Sequence, residues 1–474
     1  MPDFKGFVGP SYNAPSITQD AQECINWYIE TDPTKEQGSR GSAALYPTDG
    51  LLLKFTLDEL AEVRALYVLP GEQTLIAICG AIVYLVDTVF NVRSIGKLLT
   101  SSGPVSISDN GIEFYIVDGI NRYSCSFNGS NLQQRADGGF TGGTKVDFVD
   151  GFLFYNRPNT NQFGCTSPLS TDSPALSFGS KGGSSDNIVT VIAAKRLVYL
   201  VGEFTTEQWV NVGAFPFPFQ IIPGSSIQHG CSAAFSIALL GEGVAWLAQD
   251  KRGQATIALM TGGQLNKIST YAVESDINDG VTSDAIAYTY SREGHEFYMI
   301  TFPSQDKTWC YDIAEGQWHK RAWRDSLNNL HRHRSNCHVL FSGLNLVGDY
   351  ENGKVYALDP HTYTDDGDPI LRMRRTPHIT QDLDRIYYDF LQIQFQPGVG
   401  LNSGQGSDPQ CMLRWSNDGG ETWSNYYSIT VGKMGQYKHR AIKRKMGFAR
   451  DRVYEATVTD PVYWVIVSAE LETS

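Results

Sequence analysis

Residues 83–87 read Val-Tyr-Leu-Val-Asp, and closely similar segments return at residues 198–202 (VYLVG) and 355–359 (VYALD). Each copy follows a turn signal, most clearly the Glu-Asn-Gly-Lys of residues 351–354. Alternating or wholly apolar stretches surround the copies, such as residues 112–117 (IEFYIV), and this pattern is typical of β-strands. With weaker echoes included, the spacing is mostly roughly 40 residues, which is near the period of propeller blades. The pattern therefore predicts a β-propeller.

The predicted fold class is all-β, with a propeller of six or seven blades over residues 56–365. Residues 366–474 contain further strand patterns and are predicted to form a separate β-sandwich-like domain. Residues 1–55 are rich in Pro, Gly, Ser and Asn and are expected to pack on that domain, which we call the platform domain. Short helices are expected only at residues 17–25 and 56–63. An ordinary β-sandwich or barrel with coincidental spacing is the alternative to the propeller.

Composition limits the class of protein. The chain has 474 residues, of which 41% are apolar and 19% charged, as in a folded chain of two or three domains. No apolar run approaches the roughly 20 residues of a membrane helix, and no secretory signal opens the sequence, so we expect synthesis in a cytoplasm and no membrane span. The eight cysteines are scattered without a C-x-x-C pair, which predicts reduced and mostly buried thiols rather than a zinc or redox site.

The charge distribution is uneven. The net charge is -13, yet residues 370–474 hold 13 Lys and Arg against 11 Asp and Glu, so the remainder carries -15. Tight binding of nucleic acid needs a basic surface that neutralises phosphates. An acidic body of this kind is not expected to grip DNA, although it could surround DNA.

Residues 416–423 match the Asp-box pattern S-x-D-x-G-x-T-W, with a further Trp at position 415 directly before it. Glycines permit the tight turn, the Asp can accept hydrogen bonds from nearby amides, and the Trp offers an apolar clamp for the two strands. Sialidases carry such boxes on several blades, whereas this chain has one box, outside the predicted blades. We therefore predict a self-braced hairpin with no chemistry of its own. Its residues are Trp415, Ser416, Asp418, Gly420, Thr422 and Trp423.

Other patterns give no support for an enzyme. Residues 331–338 (HRHRSNCH) would place His331, His333 and Cys337 on one face of a strand, but the adjacent arginines disfavour a bound cation. A solvated basic loop is the preferred interpretation, and no metal site is predicted. The chain has no nucleophile elbow, no P-loop and no H-E-x-x-H motif, so we predict no catalytic residues and no cofactor.

A basic run follows the Asp-box at residues 432–453. On a strand, Lys438, Arg440 and Arg444 would share one face. The run could contact phosphates, form a solvated face, or pair with an acidic surface of a neighbouring subunit. We favour the subunit contact because the rest of the chain is acidic. The basic residues are Lys433, Lys438, Arg440, Lys443, Arg444, Lys445, Arg450 and Arg452.

Taken together, the two ends of the chain resemble the packaged-DNA stabilisation proteins, or tail-hub (nozzle) proteins, of short-tailed bacteriophages (podoviruses). The N-terminal part of the resemblance consists of residues 6–12 (GFVGPSY), 24–30 (CINWYIE) and 44–51 (ALYPTDGL). The C-terminal part is the Asp-box with the basic run, ending at residues 459–462 (TDPV). The chain departs from the family at Asp49, where Pro is usual, and at Lys443, where the family commonly carries Trp.

The resemblance implies a structural virion protein of the tail, assembled in the bacterial cytoplasm, and no enzyme. Family members are expected to form a hexameric ring beneath the portal and its adaptor, to extend the DNA channel and to help retain packaged DNA. Implied partners are the portal–adaptor complex, a tail needle or tail fibre and spike proteins, and double-stranded DNA that passes without tight binding. The expected fold is a propeller beside a platform domain built from both chain ends.

Two other functions remain open from the sequence. One is a glycan-binding or glycan-cleaving propeller at the virion tip, which would need a pocket lined by aromatic residues and a carboxylate pair. The other is a kelch-like cytosolic adaptor, which would be a stable monomer outside the virion.

Overall fold

The structure is a computed structural model that describes residues 3–36, 41–57, 60–130, 132–136, 138–382 and 384–474. Within this part of the chain there are 46 strands, one α-helix and one short 3-10 helix. The strands form a seven-bladed propeller and a two-sheet sandwich, so the all-β fold class predicted from the sequence is confirmed. None of the eight cysteines forms a disulfide, and seven of them are buried.

The N-terminal segment contributes strands to both domains. The short helix predicted at residues 17–25 is wrong, because residues 21–25 form a strand that pairs with two other strands of the sandwich. The helix predicted at residues 56–63 includes residues 58 and 59, which lie outside the described residues. The strands of the segment are β1 (Tyr12–Asn13), β2 (Ala21–Ile25), β3 (Trp27–Thr31), β4 (Ala43–Pro47) and β5 (Gly50–Thr56).

Blades one to four follow each other along the chain, each as a four-stranded antiparallel sheet. The apolar strands are explained by the packing, because neighbouring side chains on one strand enter different cores. Leu75 lies in the core shared with blade seven, whereas Ile76 lies in the core shared with blade two. The blades are β6 (Val63–Val68), β7 (Thr74–Cys79), β8 (Ile82–Asp87) and β9 (Val92–Lys97); β10 (Ser106–Asp109), β11 (Glu113–Val117), β12 (Arg122–Ser126) and β13 (Gln133–Gln134); β14 (Val146–Val149), β15 (Phe152–Asn156), β16 (Gln162–Cys165) and β17 (Phe178–Ser180); and β18 (Ile188–Ala194), β19 (Leu197–Gly202), β20 (Thr206–Asn211) and β21 (Phe219–Ile221).

Blades five to seven complete the ring. The repeated segments that suggested a propeller do not occupy equivalent positions: residues 83–87 and 355–359 lie in third strands, whereas residues 198–202 lie in a second strand. The remaining elements are, for blade five, β22 (Gly230–Cys231), β23 (Ala238–Leu240), β24 (Gly243–Gln249), β25 (Ala255–Thr261) and β26 (Gln264–Lys267), then α1 (Tyr271–Ile277); for blade six, β27 (Ile286–Arg292), β28 (His295–Phe302), the 3-10 helix Pro303–Gln305, β29 (Lys307–Asp312) and β30 (Gln317–Lys320); a hairpin of β31 (Ala322–Arg324) and β32 (Leu330–Arg332); and, for blade seven, β33 (Ser335–Phe341), β34 (Leu344–Asp349) and β35 (Lys354–Asp359), followed by β36 (Thr364–Asp365) and β37 (Asp368–Pro369).

The N-terminal strand β5 closes the ring by serving as the outer strand of blade seven, antiparallel to β35. The division expected at residue 55 therefore falls inside a single strand, because β5 belongs to the propeller although the strands before it do not. Gly50 at its start admits no side chain, since a Cβ there would lie 2.3 Å from the carbonyl oxygen of Thr362. At the inner side of the ring, the Asn336 side chain donates to the Val63 carbonyl at 3.2 Å and joins blade seven to blade one.

The platform domain is a sandwich of two sheets, and each sheet contains strands from both chain ends. One sheet has the order β3-β4-β46-β40-β43, and the other contains β2-β38-β45-β41-β42. Trp27 and Trp464 are fully buried between them, and the Trp27 indole N–H donates to the Trp464 carbonyl at 2.9 Å. The C-terminal strands are β38 (Arg372–Arg375), β39 (Ile379–Thr380), β40 (Ile386–Phe395), β41 (Gln410–Ser416), β42 (Tyr427–Thr430), β43 (Ala441–Arg444), β44 (Phe448–Ala449), β45 (Asp451–Val458) and β46 (Ile466–Thr473).

Asn26 marks the point where the chain crosses from one sheet of the sandwich to the other. Its φ is +57°, a left-handed conformation that Asn tolerates better than most residues. The side-chain amide donates to the carbonyls of Ala322 and Leu371 at 2.8 and 2.7 Å, and its oxygen accepts the Ala322 N–H at 3.0 Å. One buried side chain thus fixes the N-terminal segment to the end of blade six and to the start of β38.

The sheet of blade six continues into the sandwich, because β2 pairs in parallel with β30 at Ile25 and Lys320. Five charged side chains of alternating sign cross this sheet, and we call them the charge ladder. Successive nitrogen–oxygen distances are 2.9, 3.4, 2.8 and 2.6 Å. The ladder joins the two domains by ion pairs as well as by backbone hydrogen bonds. In order, its members are Lys320, Glu23, Arg375, Glu455 and Arg414.

Candidate functional site: the outer edge of the platform domain

The Asp-box forms the turn between β41 and β42 and is held by its own side chains. The Ser416 hydroxyl donates to Asp418 at 2.6 Å and accepts the Gly420 N–H at 2.8 Å. Asp418 also accepts the Thr422 N–H at 2.8 Å and the Thr422 hydroxyl. These bonds, led by the one from Ser416, lower the pKa of Asp418 to about 2. The Asp carboxylate is therefore engaged within the turn, an arrangement that braces a hairpin.

The two tryptophans of the box have different partners. Trp415 stacks on Tyr427 of the neighbouring strand, with ring centroids 4.9 Å apart and planes 3° from parallel, so it clamps β41 to β42. Trp423 instead lies against the guanidinium groups of Arg414 and Arg375, at 4.6 and 5.0 Å from its ring centre. The box thus covers the outer end of the charge ladder.

The basic run does not form one continuous strand. Residues 433–440 are a series of turns, and the run becomes extended only at Ala441–Arg444 and again at Phe448–Ala449 and Asp451–Val458. The single strand face predicted to hold Lys438, Arg440 and Arg444 therefore does not exist. Turns occur because Gly432 and Gly435 adopt positive φ and interrupt the strand. The exposed members of the run are Lys433, Lys438, Arg440, Arg444, Lys445 and Arg450.

Arg452 is misplaced in the predicted contact surface, because its side chain is buried and 1% exposed. Its Nε donates to the Asn417 side chain and its Nη1 to the Met446 carbonyl, both at 2.9 Å. The guanidinium also lies 4.0 Å from the ring centre of Tyr388. Arg452 therefore connects the Asp-box turn to the core of the sandwich and is unavailable to a partner.

Lys443 is half-buried, and its ammonium group lies 3.8 Å from the ring centre of Tyr427. This position departs from the phage family that the sequence resembles, and the lysine makes a cation–π contact with the aromatic ring. The second departure, Asp49, is buried and forms an ion pair with Arg292 Nη1 at 2.6 Å. Both departures thus have local partners.

Exposed cations and exposed apolar side chains lie together in the basic run. Tyr437 is 71% exposed and Met434 50% exposed, beside Lys438 and Arg440. A polar cleft of about 330 Å³ separates this loop from β40, with Gln392 in its wall. Aromatic residues, Met and Arg are the side chains enriched at protein interfaces. We call Lys433, Met434, Tyr437, Lys438, Arg440 and Arg444 the basic edge.

The His-rich stretch is packed against neighbouring strands, so the predicted solvated loop is wrong there. His333 is 3% exposed, and burial lowers its pKa to about 3. Arg332 and Arg334 lie over the rings of Tyr350 and Trp323, at 3.7 and 3.8 Å. Among the described residues, no group of His, Cys, Asp and Glu is arranged to hold a metal ion.

Sequence reasoning missed a cleft of about 630 Å³ on the propeller axis. Its lining comes from six blades, from Glu62 in the first to His338 in the seventh. No local motif signals such a site, because its lining residues are spread over six blades. The charged residues of the lining are far apart in the sequence, and only closure of the ring brings them together.

Comparisons with known proteins give matches to both domains. The family model described as bacteriophage P22 Gp10, beta-propeller, matches residues 70–363, and the one described as bacteriophage P22 Gp10, beta-sandwich, matches residues 372–474. No individual curated protein matches the chain. In the described part of the chain, no helix has the length and apolar character to cross a membrane.

Solved structures with similar folds share little sequence with the chain. The WD40 β-propeller domain of Doa1 is 10% identical, with 65% of this chain and 96% of that chain covered and a TM-score of 0.42. The computationally designed Ika8 protein is 11% identical, with 65% and 99% covered and a TM-score of 0.38. A chain of the mitotic checkpoint complex is 9% identical, with 70% and 99% covered and a TM-score of 0.43.

Proposed function

Because this chain belongs to the bacteriophage P22 Gp10 family of phage tail proteins, we propose that it is a nozzle subunit of a short-tailed phage. In this proposal, copies form a ring, expected to be hexameric, below the portal and its adaptor. The ring extends the DNA channel and helps to retain the packaged genome. The observation that carries the proposal is the family match over both domains, in chain order.

The junction between the domains suits a structural role. Blade six and the sandwich share one sheet, and the charge ladder crosses it. The buried side chain of Asn26 adds three hydrogen bonds at the same place. A subunit that transmits load in a tail needs its domains to keep a fixed orientation, and this junction supplies many simultaneous constraints on domain rotation.

The basic edge is our candidate for contact with a neighbouring subunit or with the adaptor. It combines exposed cations with Tyr437 and Met434, whereas the rest of the chain is acidic. Such a surface would pair with an acidic surface of another copy, and charge complementarity would set the register of the ring. Transient contact with DNA phosphates is the second role for the same residues.

The acidic body supports passage of DNA without tight binding. The chain carries a net charge of -13, and phosphate-binding surfaces require the opposite sign. A channel that releases its DNA quickly benefits from weak repulsion of phosphates. We propose a non-enzymatic protein that reaches the virion tail after assembly in the host cytoplasm and contacts a needle, fibre or spike protein at its far end.

Electron microscopy of the purified protein, alone and with a portal–adaptor complex, tests the ring. We expect a symmetric ring with an axial channel in at least the second sample. A monomer in both samples would overturn the proposal.

Variants then separate the two roles of the basic edge. Combined replacement of Lys438, Arg440 and Arg444 by Ser should weaken ring assembly or docking, while Lys251→Ser, an exposed lysine of the propeller, should leave both unchanged. Normal assembly together with loss of packaged DNA from particles would replace the subunit-contact role by the DNA role.

A further inference from the structure

The axial cleft lies at the end of the propeller where the innermost strands begin. Residues just before or within β6, β10, β14, β27 and β33 form most of its wall. Its volume of about 630 Å³ is within the range of small-molecule sites, which is roughly 300–1,000 Å³. Three aromatic side chains contribute to the wall. They are Tyr67, Phe235 and Tyr288.

Lys145 brings an unbalanced charge into this cleft. Its ammonium group lies 5.1 Å from the ring centre of Phe235, and no described carboxylate forms a salt bridge with it. Burial lowers the pKa of Lys145, and Asp147 offsets this only in part. Asp147 itself accepts the N–H groups of Ala193 and Phe148 at 2.7 and 2.8 Å. Lys145 is half-buried, and an anion that enters the cleft would supply the partner that its ammonium group lacks among the described carboxylates.

The other two cations of the wall, Arg64 and Arg332, differ in how many of their N–H groups have hydrogen-bond acceptors. Arg64 donates to the carbonyls of Gly80, Thr100, Ser102 and Gly103, at distances from 2.5 to 3.0 Å. In contrast, the buried Nη1 of Arg332 has no hydrogen-bond partner. Arg332 therefore has an N–H group that can donate to a bound ligand, whereas the Arg64 donors are engaged and Arg64 contributes mainly its charge.

Two carboxylates complete the wall and limit the charge of a guest. Glu62 accepts the Gly103 N–H at 2.6 Å, and Asp284 accepts the Ser304 N–H at 2.7 Å with its Oδ2. The buried Oδ1 of Asp284 has no partner. Three cations against two carboxylates favour a single negative charge, and the carboxylates would repel a phosphate dianion. An acceptor such as Asp284 Oδ1 suits a hydroxyl donor.

We propose that the axial cleft binds a small sugar acid. Its carboxylate pairs with Lys145, a hydroxyl donates to Asp284, and its apolar face lies against Phe235. This arrangement satisfies the unpaired ammonium and the unpaired carboxylate oxygen with one guest. The guest is either a free sugar acid or the acidic end of a polysaccharide chain, and both present the same group to Lys145.

Binding to the full-length protein is measured by isothermal titration calorimetry and saturation-transfer NMR. The probes are N-acetylneuraminate and glucuronate, an oligosaccharide with a terminal glucuronate, the neutral methyl ester of glucuronate, and inorganic phosphate. We expect at least one sugar acid to bind with a Kd below about 10 mM, and the ester and phosphate to bind at least about tenfold more weakly. Tighter binding of the oligosaccharide than of glucuronate would identify a polysaccharide end as the guest, and the reverse would identify the free acid.

Variants of the lysine provide the control. Lys145→Met should weaken binding at least about tenfold, because it removes a charge-assisted hydrogen bond, whereas Lys145→Arg should keep part of it and Lys251→Met all of it. Circular dichroism checks that each variant is folded. Absence of sugar-acid binding to the wild type, equal binding of phosphate, or unchanged binding by a folded Lys145→Met variant would each overturn the proposal.

A chemical modification experiment tests the same site in the wild-type protein. Reductive methylation near neutral pH, followed by peptide mass spectrometry, should modify Lys145 ahead of Lys251, since a lowered pKa leaves more free amine. The bound sugar acid should slow modification of Lys145 alone. Modification of Lys145 that the bound acid leaves unchanged would contradict the pairing.

Discussion

Replacing Glu455 by Gln tests whether the charge ladder holds the platform domain together. The Glu455 side chain is almost fully buried, and it pairs with both Arg375 and Arg414, at 2.8 and 2.6 Å. Gln has nearly the same shape, so the change removes the charge and little else. Two guanidinium groups then share a site without their common counterion.

The expected loss can be worked from the burial of the partners. Removal of one partner of a buried pair costs about 3–5 kcal/mol when the other remains buried. The Arg375 and Arg414 side chains are 18% and 24% exposed, so water relieves part of the cost. We therefore expect the lower end, about 3 kcal/mol. For a domain of roughly 150 residues, each kcal/mol lowers Tm by about 2–4 °C, which gives about 6–12 °C.

Differential scanning calorimetry of the full-length protein is the assay, with Glu421→Gln as the matched control. Glu421 is an exposed acid of the Asp-box turn, so its replacement changes the charge of the same domain by the same amount. The control should lie within about 1 °C of the wild type. If Glu455→Gln unfolds at the same temperature as the control, the ladder contributes nothing and the reasoning fails.

Three further predictions concern other parts of the platform domain and its junction. Asp418→Ala should cost about 1–2 kcal/mol, because it removes hydrogen bonds in an exposed turn, and urea unfolding of this variant against Glu421→Gln measures the cost. Arg452→Met should lower stability by about 2–4 kcal/mol in the same assay, while a ring that still forms at low temperature would show that Arg452 acts in the core and not at the interface. His295 pairs with Asp312 at 2.6 Å and with Glu30 of the sandwich at 2.9 Å, and the bond to Asp312 raises its pKa above 6.5. The protonated His295 therefore adds stability that is complete below pH 6.5 and is lost as the pH rises through the raised value, so unfolding free energies from about pH 6 to about pH 9 should fall less steeply in His295→Gln.

The propeller could be predicted from the sequence because each blade folds from consecutive residues. Turn signals and apolar strands recur along the chain, and these local features survive in the structure. The three similar segments are expected to occupy the same position in their blades, but one of them lies in a second strand and the other two lie in third strands. The position of β5 was beyond prediction, because its partner β35 lies some 300 residues away and no local signal connects them.

The candidate site also has parts that local sequence predicts and parts that depend on distant residues. The Asp-box turn is local, and its hydrogen bonds join residues at most four positions apart. The sequence analysis predicts the same contact role for every cation of the basic run. In the structure, Arg452 instead shares a strand face with Tyr454 and Ala456 in the sandwich core. That alternation was readable in the sequence and separates Arg452 from the exposed cations. The axial cleft was not readable, because distant blades bring its charges together.

The pairing of β5 with β35 also fixes an order of events during synthesis. Residues 50–56 leave the ribosome first and wait for residues 354–359, which at about 5–20 residues per second takes about 15–60 s. The sandwich waits longer, because β2, β3 and β4 need partners from β38 to β46. The propeller can therefore close before the platform exists. A chain that stops short of β46 presents no finished platform surface, so the fold itself limits assembly to chains that have been translated through that strand.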